Sequence, residues 1–150
     1  MFKKIALYIL ILIAVAGIMY LTVMKLDDTV YLSESFRNTM NAVCGRLGID
    51  TSAEWWNSGA GIRWMGHVIE YFALGLVVGI AVKSKIVLLI VCMAISLIDQ
   101  TVKIFIPARH FDWGDILFDI VGFCCGLAIA WVLKIAAKKL KEIGGQEPAE

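Results

Sequence analysis

The sequence predicts an all-α polytopic membrane protein with four transmembrane helices, plus short interfacial helices in the first extracytoplasmic loop. Three observations carry this. The 150 residues are 60% hydrophobic with a mean hydropathy of +0.80, whereas soluble domains are roughly 45–50% apolar. The apolar residues gather into four long runs parted by polar connections. The lysines then fall mainly on one side of a hairpin arrangement of those runs.

The length fits one domain, residues 1–150. A net charge of +1 gives no general attraction for nucleic acid, so none is expected as a partner. Cys92, Cys124 and Cys125 lie inside apolar runs, and Cys44 stands alone in a polar connection. There is no metal-ligand spacing and no disulfide framework, so small buried thiols are expected, and no metal.

Each element follows from its own signal. Ile5–Met24 is a charge-free run of 20 residues, enough to cross a hydrocarbon core of about 30 Å. A cleavable signal peptide is the rival, because Ala14-Val15-Ala16 mimics a cleavage site. The run continues well beyond that point, so an anchor is expected. In the loop 25–61, Phe36, Met40, Val43 and Leu47 form one apolar stripe at helical spacing, with Ser33 or Ser35 as a start and Gly45 or Gly48 as an end. A short amphipathic helix in the interface, or folded over the bundle, fits that stripe. Thr51-Ser52-Ala53-Glu54 reads as a capping box for a second short helix, whose Trp55 and Trp56 suit the headgroup level. Asn57 to Gly61 reads as a turn.

The second span is expected at about 62–82 and the third at about 86–106, stopped by Pro107. The fourth is expected at about 114–135, followed by a basic cytoplasmic tail, 136–150, disordered around Pro148. Lys3, Lys4, Lys83, Lys85, Lys134, Lys138, Lys139 and Lys141 share one side. Both termini of the multi-pass protein are therefore expected on the cytoplasmic side of the membrane.

The polar residues inside the spans are the candidate site. His67, Glu70 and Tyr71 lie within one turn near the outer end of span two, with Arg63 a turn above. Cys92, Ser96, Asp99 and Lys103 form a stripe ending at the outer end of span three. Asp112, Asp115 and Asp119 open span four, and the stripe continues as Gly122 and Gly126. Hairpin topology brings these groups to one membrane surface. Ionisable groups there cost roughly 2.5–3.5 kcal/mol each on insertion scales, so a functional cluster is the default expectation. Structural readings stand beside it. Asp112 can cap the last span, Asp99 and Lys103 can form an i,i+4 pair, and His67 can be a core histidine bonded to a carboxylate. Arg109 can hold Asp99 or Asp115 in a bidentate pair, or face a ligand phosphate. Gly75 with Gly79, and Gly122 with Gly126, read as close-packing helix faces, and Ala130 is expected to be semi-exposed.

These residues resemble the VanZ-like family of small bacterial membrane proteins. His67, Tyr71 and Leu74-Gly75 match its second-span pattern. Asp99, Phe105, Pro107, Arg109, Asp115, Gly122 and Gly126 match its hallmark of an Asp ending a span, Phe-x-Pro-x-Arg, a further Asp and a glycine pair. Gln100, Lys103, Ala108 and Asp119 depart from the residues usual there (Glu, Gln, Gly and Asn). The resemblance implies a cell-envelope membrane protein. The namesake's low-level resistance to teicoplanin-type antibiotics makes antibiotic resistance an expected role.

The favoured expectation is a non-enzymatic envelope protein whose cluster of His67, Glu70, Tyr71, Asp99, Lys103, Arg109, Asp115 and Asp119 binds a headgroup. Membrane lipids, a lipid-linked envelope precursor or a lipoglycopeptide are the expected partners. The alternatives are a membrane enzyme acting on a lipid-linked phosphate and a small proton-coupled transporter. No nucleophile triad or nucleotide loop appears. Glu70, Asp99, Asp115 and Asp119 also outnumber Arg63, Lys103 and Arg109, so a bare phosphate would be repelled unless a divalent cation joined the carboxylates or some were protonated. No cofactor is otherwise indicated.

Overall fold

The computed structural model describes residues 2–24, 26–57 and 59–144. These form α1 (Phe2–Val23), α2 (Leu26–Arg46), α3 (Glu54–Asn57), α4 (Ala60–Ala81), α5 (Lys85–Lys103) and α6 (Trp113–Gly144), with no strand among the described residues. Helices α1, α4, α5 and α6 are each long and apolar enough to cross a membrane. Much of their apolar surface faces outward, as lipid contact requires: Leu12, Ile86, Leu89 and Trp131 are all exposed.

Two of the spans fuse backbone to backbone. A Cβ on Gly122 would collide with the Val68 carbonyl, one on Gly126 with the Phe72 carbonyl, and one on Gly75 with the backbone of Phe123. Apolar side chains gain little by leaving lipid for one another, so helix association in a bilayer rests on such close approach. The contacts advance together along both helices, from Val68 at Gly122 to Gly79 at Ala130. Helices α4 and α6 therefore run parallel, as the second and fourth legs of a serpentine must. Ala130, expected to be semi-exposed, is only 1% exposed. It continues the Gly122–Gly126 stripe by one more turn and meets Gly79. Against this pair, α1 and α5 bring Ile18 and Cys92 onto Tyr71, Leu74, Val78 and Phe123 to form the apolar core.

Several boundaries differ from expectation for definable reasons. Helix α2 starts at Leu26, well before Ser33, because Asp27 and Asp28 in its first turn favour the positive helix end. Thr29, Ser33 and Phe36, nearer its start, are the partly buried residues that border the cavity described below, while Val43 and Leu47 stand exposed at 44% and 70%. Gly48, at φ 70°, ends the helical stretch as expected. The Thr51 capping box is not formed. Helix α3 begins only at Glu54, and Asp50 takes the Ser52 N–H at 2.8 Å and its hydroxyl at 2.9 Å. Those bonds, the backbone one foremost, hold the Asp50 carboxyl below its ordinary range. Trp56 is buried, its Nε1 donating to Asn41 Oδ1 at 2.7 Å, while Trp55 stays exposed.

Helix α5 stops at Lys103, three residues short of expectation. Pro107 disfavours helical backbone just before it, and the N–H groups of Ile104, Phe105 and Ile106 turn back by three residues. Helix α6 has no such break. Ala136, Ala137 and the following lysines are good helix formers, so the expected separate tail is a continuation of the span to Gly144. Its 32 residues extend about 48 Å, well beyond a hydrocarbon core of about 30 Å. The expected disorder around Pro148, and Ser58 within the expected turn, lie outside the described residues.

The packing yields a direct test. Gly126→Ala places a methyl group against the Phe72 carbonyl, whereas Ala128 is exposed. Melting in detergent is expected to fall by about 1–3 kcal/mol for Gly126→Ala and to stay near wild type for Ala128→Leu. Equal melting of the two variants contradicts the α4–α6 contact.

Candidate functional site

The serpentine brings the carboxyl ends of α1 and α5 to the amino ends of α4 and α6, and the polar residues meet there. Asp112 caps α6, accepting the Gly114 N–H at 2.8 Å. It also pairs with Arg63 Nη2 at 2.6 Å, while Arg63 Nε lies 3.3 Å from Asp115 Oδ1. One turn deeper, the buried Lys103 ammonium sits 3.1 Å from Asp99, 3.0 Å from Asp115 and 3.2 Å from His67 Nε2. His67 Nε2 is equally close to Asp115 Oδ2, so it donates to the acid or accepts from the ammonium according to its tautomer. Its Nδ1 lies 2.8 Å from Asp119.

Hydroxyls and an amide complete the shell. Ser96 donates to Asp119 at 2.6 Å, and Thr22 donates to Asp99. Gln100 Nε2 donates to Asp99 at 3.0 Å, and its Oε1 takes the Asp112 N–H at 3.3 Å. Asp99, Asp115 and Asp119 thus each hold a cation, ring or hydroxyl partner. Buried charge is tolerable when paired in this way. It follows that the simple excess of acids over bases overstates how strongly this end repels an anion.

His67, Asp99 and Asp119 each offer an atom within 4.8 Å of the others, a spacing wide enough for a metal ion. Lys103, Ser96 and Thr22 already engage those same acids and ring. The cluster therefore carries its own counter-charge, and a divalent ion would have to displace bonds to enter it.

Beside this network opens a cavity of about 460 Å³, a size typical of small-ligand pockets. Thr22, Ser33, Phe36 and Ile69 line it, together with His67, Glu70, Asp99, Lys103, Arg109 and Asp115. Six of the eight residues expected at the site thus reach one cavity. The other two do not: Asp119 is fully buried behind His67, and Tyr71 lies in the apolar core.

Of the alternatives expected for Arg109, the bidentate pair is not formed, since it pairs with neither Asp99 nor Asp115. Its Nη2 donates to the Met24 carbonyl at 3.0 Å and to Thr29 Oγ1 at 2.5 Å, tying the loop after α5 to the junction of α1 and α2, while its Nε is buried without a hydrogen-bond partner. Glu70 forms no hydrogen bond or ion pair among the described residues.

Thr22 and Gln100 belong to the network without having stood out as site residues. Thr22 reads as one polar residue ending an apolar run. Gln100 shows in the sequence only as a departure from the usual acid.

This is a helical, polytopic membrane protein with a self-paired ionic cluster and a mixed polar and apolar cavity at one end. A family model described as VanZ/LLP1 matches residues 7–134, and the chain belongs to that family. No curated protein and no solved structure matched the chain.

The loop carrying Arg109 generates a prediction. Ala108 holds φ 64°, a left-handed conformation that costs an L side chain roughly 1–2 kcal/mol and a glycine almost nothing. Ala108→Gly is expected to raise stability by about 1 kcal/mol after the entropy of the freer unfolded chain is subtracted. A lower melting temperature for Ala108→Gly contradicts the strained turn.

Proposed function

We propose that the protein is a non-enzymatic component of the bacterial cell envelope that binds the headgroup of an amphiphile in the cavity beside the Lys103 network. In this reading it lies in the cytoplasmic membrane with both termini inside. The lysine distribution supports that orientation. Binding there contributes to tolerance of teicoplanin-type lipoglycopeptides, themselves amphiphiles with a polar head.

The observation that carries the reading is the cavity wall. Phe36 and Ile69 give it an apolar side suited to chains, while Arg109 and Glu70 face it without an ionic partner. The remaining acids are engaged in the network, which favours a binding role over acid–base turnover. His67 meets carboxylates and an ammonium through its two ring nitrogens, and among the described residues no hydroxyl is bonded to it for activation.

Filling the cavity tests the proposal. Gly66 lines it, and the nearest atom to a Cβ there is Glu70 Oε1 at 3.9 Å. Gly66→Leu should therefore fold at least as well as wild type, since glycine inside a helix costs about 1 kcal/mol relative to a good helix former. The variant is expected to lose both co-purifying amphiphile, by native mass spectrometry, and teicoplanin tolerance in a sensitive host. Full tolerance from well-folded Gly66→Leu protein contradicts the proposal.

A further inference from the structure

We infer that the amphiphile is a phospholipid whose phosphate meets Arg109 and whose primary ammonium meets Glu70, that is, a phosphoethanolamine-type headgroup. This rests on the cavity being the headgroup site and specifies what enters it.

The inference follows from the charges that the protein leaves uncompensated. Arg63 is paired with Asp112 and Asp115, and Lys103 with Asp99 and Asp115. Asp119 is held by His67 and Ser96. Arg109 gives its described bonds to a carbonyl and a hydroxyl, keeps a buried Nε without a partner and meets no acid among the described residues. Glu70 is half-buried on the wall of the same cavity and forms no ion pair among the described residues. They do not meet one another.

An unpaired charge taken out of water is costly, and here one of each sign borders a single cavity. A plain anionic headgroup would satisfy Arg109 and leave Glu70 both unpaired and repelling it. A plain cation would do the reverse. A zwitterion with a short spacer compensates both at once.

The donor chemistry narrows the class. With Nη2 committed to Met24 and Thr29, Arg109 keeps its charge and its remaining N–H groups for a phosphate oxygen. A carboxylate needs N–H donors, of which a primary ammonium has three and a quaternary ammonium none. Choline-type headgroups are therefore disfavoured at Glu70. Leu21, Leu32 and Phe36 give the cavity an apolar side suited to acyl chains, which favours a lipid over a water-soluble phosphoethanolamine.

The test uses the full chain purified in maltoside micelles. Native mass spectrometry would follow titration with phosphatidylethanolamine, phosphatidylglycerol and phosphatidylcholine of identical chains, and with soluble phosphoethanolamine. Phosphatidylethanolamine is expected to bind about tenfold more tightly than either other lipid, as one charge-assisted contact allows, and soluble phosphoethanolamine far more weakly. Glu70→Gln breaks no bond in the fold and should abolish the preference for phosphatidylethanolamine. Arg109→Lys, which keeps the charge and loses the planar set of N–H donors, should weaken phosphatidylethanolamine and phosphatidylglycerol together.

Equal affinity for the three lipids, or an undiminished preference in Glu70→Gln, overturns the headgroup assignment and leaves the cavity reading standing. Tight binding of soluble phosphoethanolamine overturns the lipid as its source. Binding of none of them, with Gly66→Leu unchanged from wild type in mass and tolerance, overturns the cavity reading itself.

Discussion

The ammonium of Lys103 is the charge on which the polar end of this bundle depends. It lies at the meeting point of three helices, within 3.2 Å of His67 on α4, Asp99 on its own helix α5, and Asp115 on α6. Helix α5 shares no glycine-to-backbone contact with the others of the kind that joins α4 to α6. Its purchase on the bundle at this end is polar: Lys103 to α6 and α4, Ser96 to Asp119, and Asp99 to Thr22 of α1. In a bilayer such bonds are a principal means of holding one span to another, since lipid satisfies none of these groups. One buried cation therefore serves both as counter-charge and as a joint between helices.

The glycine contact of α4 with α6 makes that joint possible. It fixes the two helices in parallel, and so decides that Arg63 and His67 face Asp112, Asp115 and Asp119. The α5 turn before Pro107 then returns the chain across the same end. The Ala108 turn aims Arg109 away from the acids and toward the α1–α2 junction. Because Arg109 and Glu70 stand outside the pairing, the cavity between them keeps two opposite charges available. The apolar residues of α2 roof the same space.

Much of this was legible from the sequence, and the parts that were not share a cause. The four spans, the parallel glycine faces and the convergence of His67, Asp99, Lys103 and Asp115 followed from periodicity and from the cost of charge in lipid. Spacing also named the Asp112 cap and the Asp99–Lys103 pair among its alternatives. Pairing across helices was not legible. Nothing local distinguishes Arg109 bonded to an acid from Arg109 bonded to the Met24 carbonyl. Thr22 gave no signal until α1 was seen beside α5. The early start of α2 and the unbroken run of α6 to Gly144 were missed because charged residues were read as loop and tail, although they suit helix ends and helix interiors equally well.

Detergent melting of Lys103→Met tests the central claim most directly, because methionine keeps the unbranched apolar stem of the side chain and removes its charged end. The structure requires this change to leave Asp99 with only the neutral donors Thr22 and Gln100 and to take one cation from Asp115, with a loss of roughly 3–5 kcal/mol, the usual consequence of breaking a buried pair from one side. Adding Asp99→Asn to Lys103→Met should recover part of that loss. A Lys103→Met protein that melts with the wild type, at undiminished abundance in the membrane, contradicts the claim that this ammonium holds the polar end together.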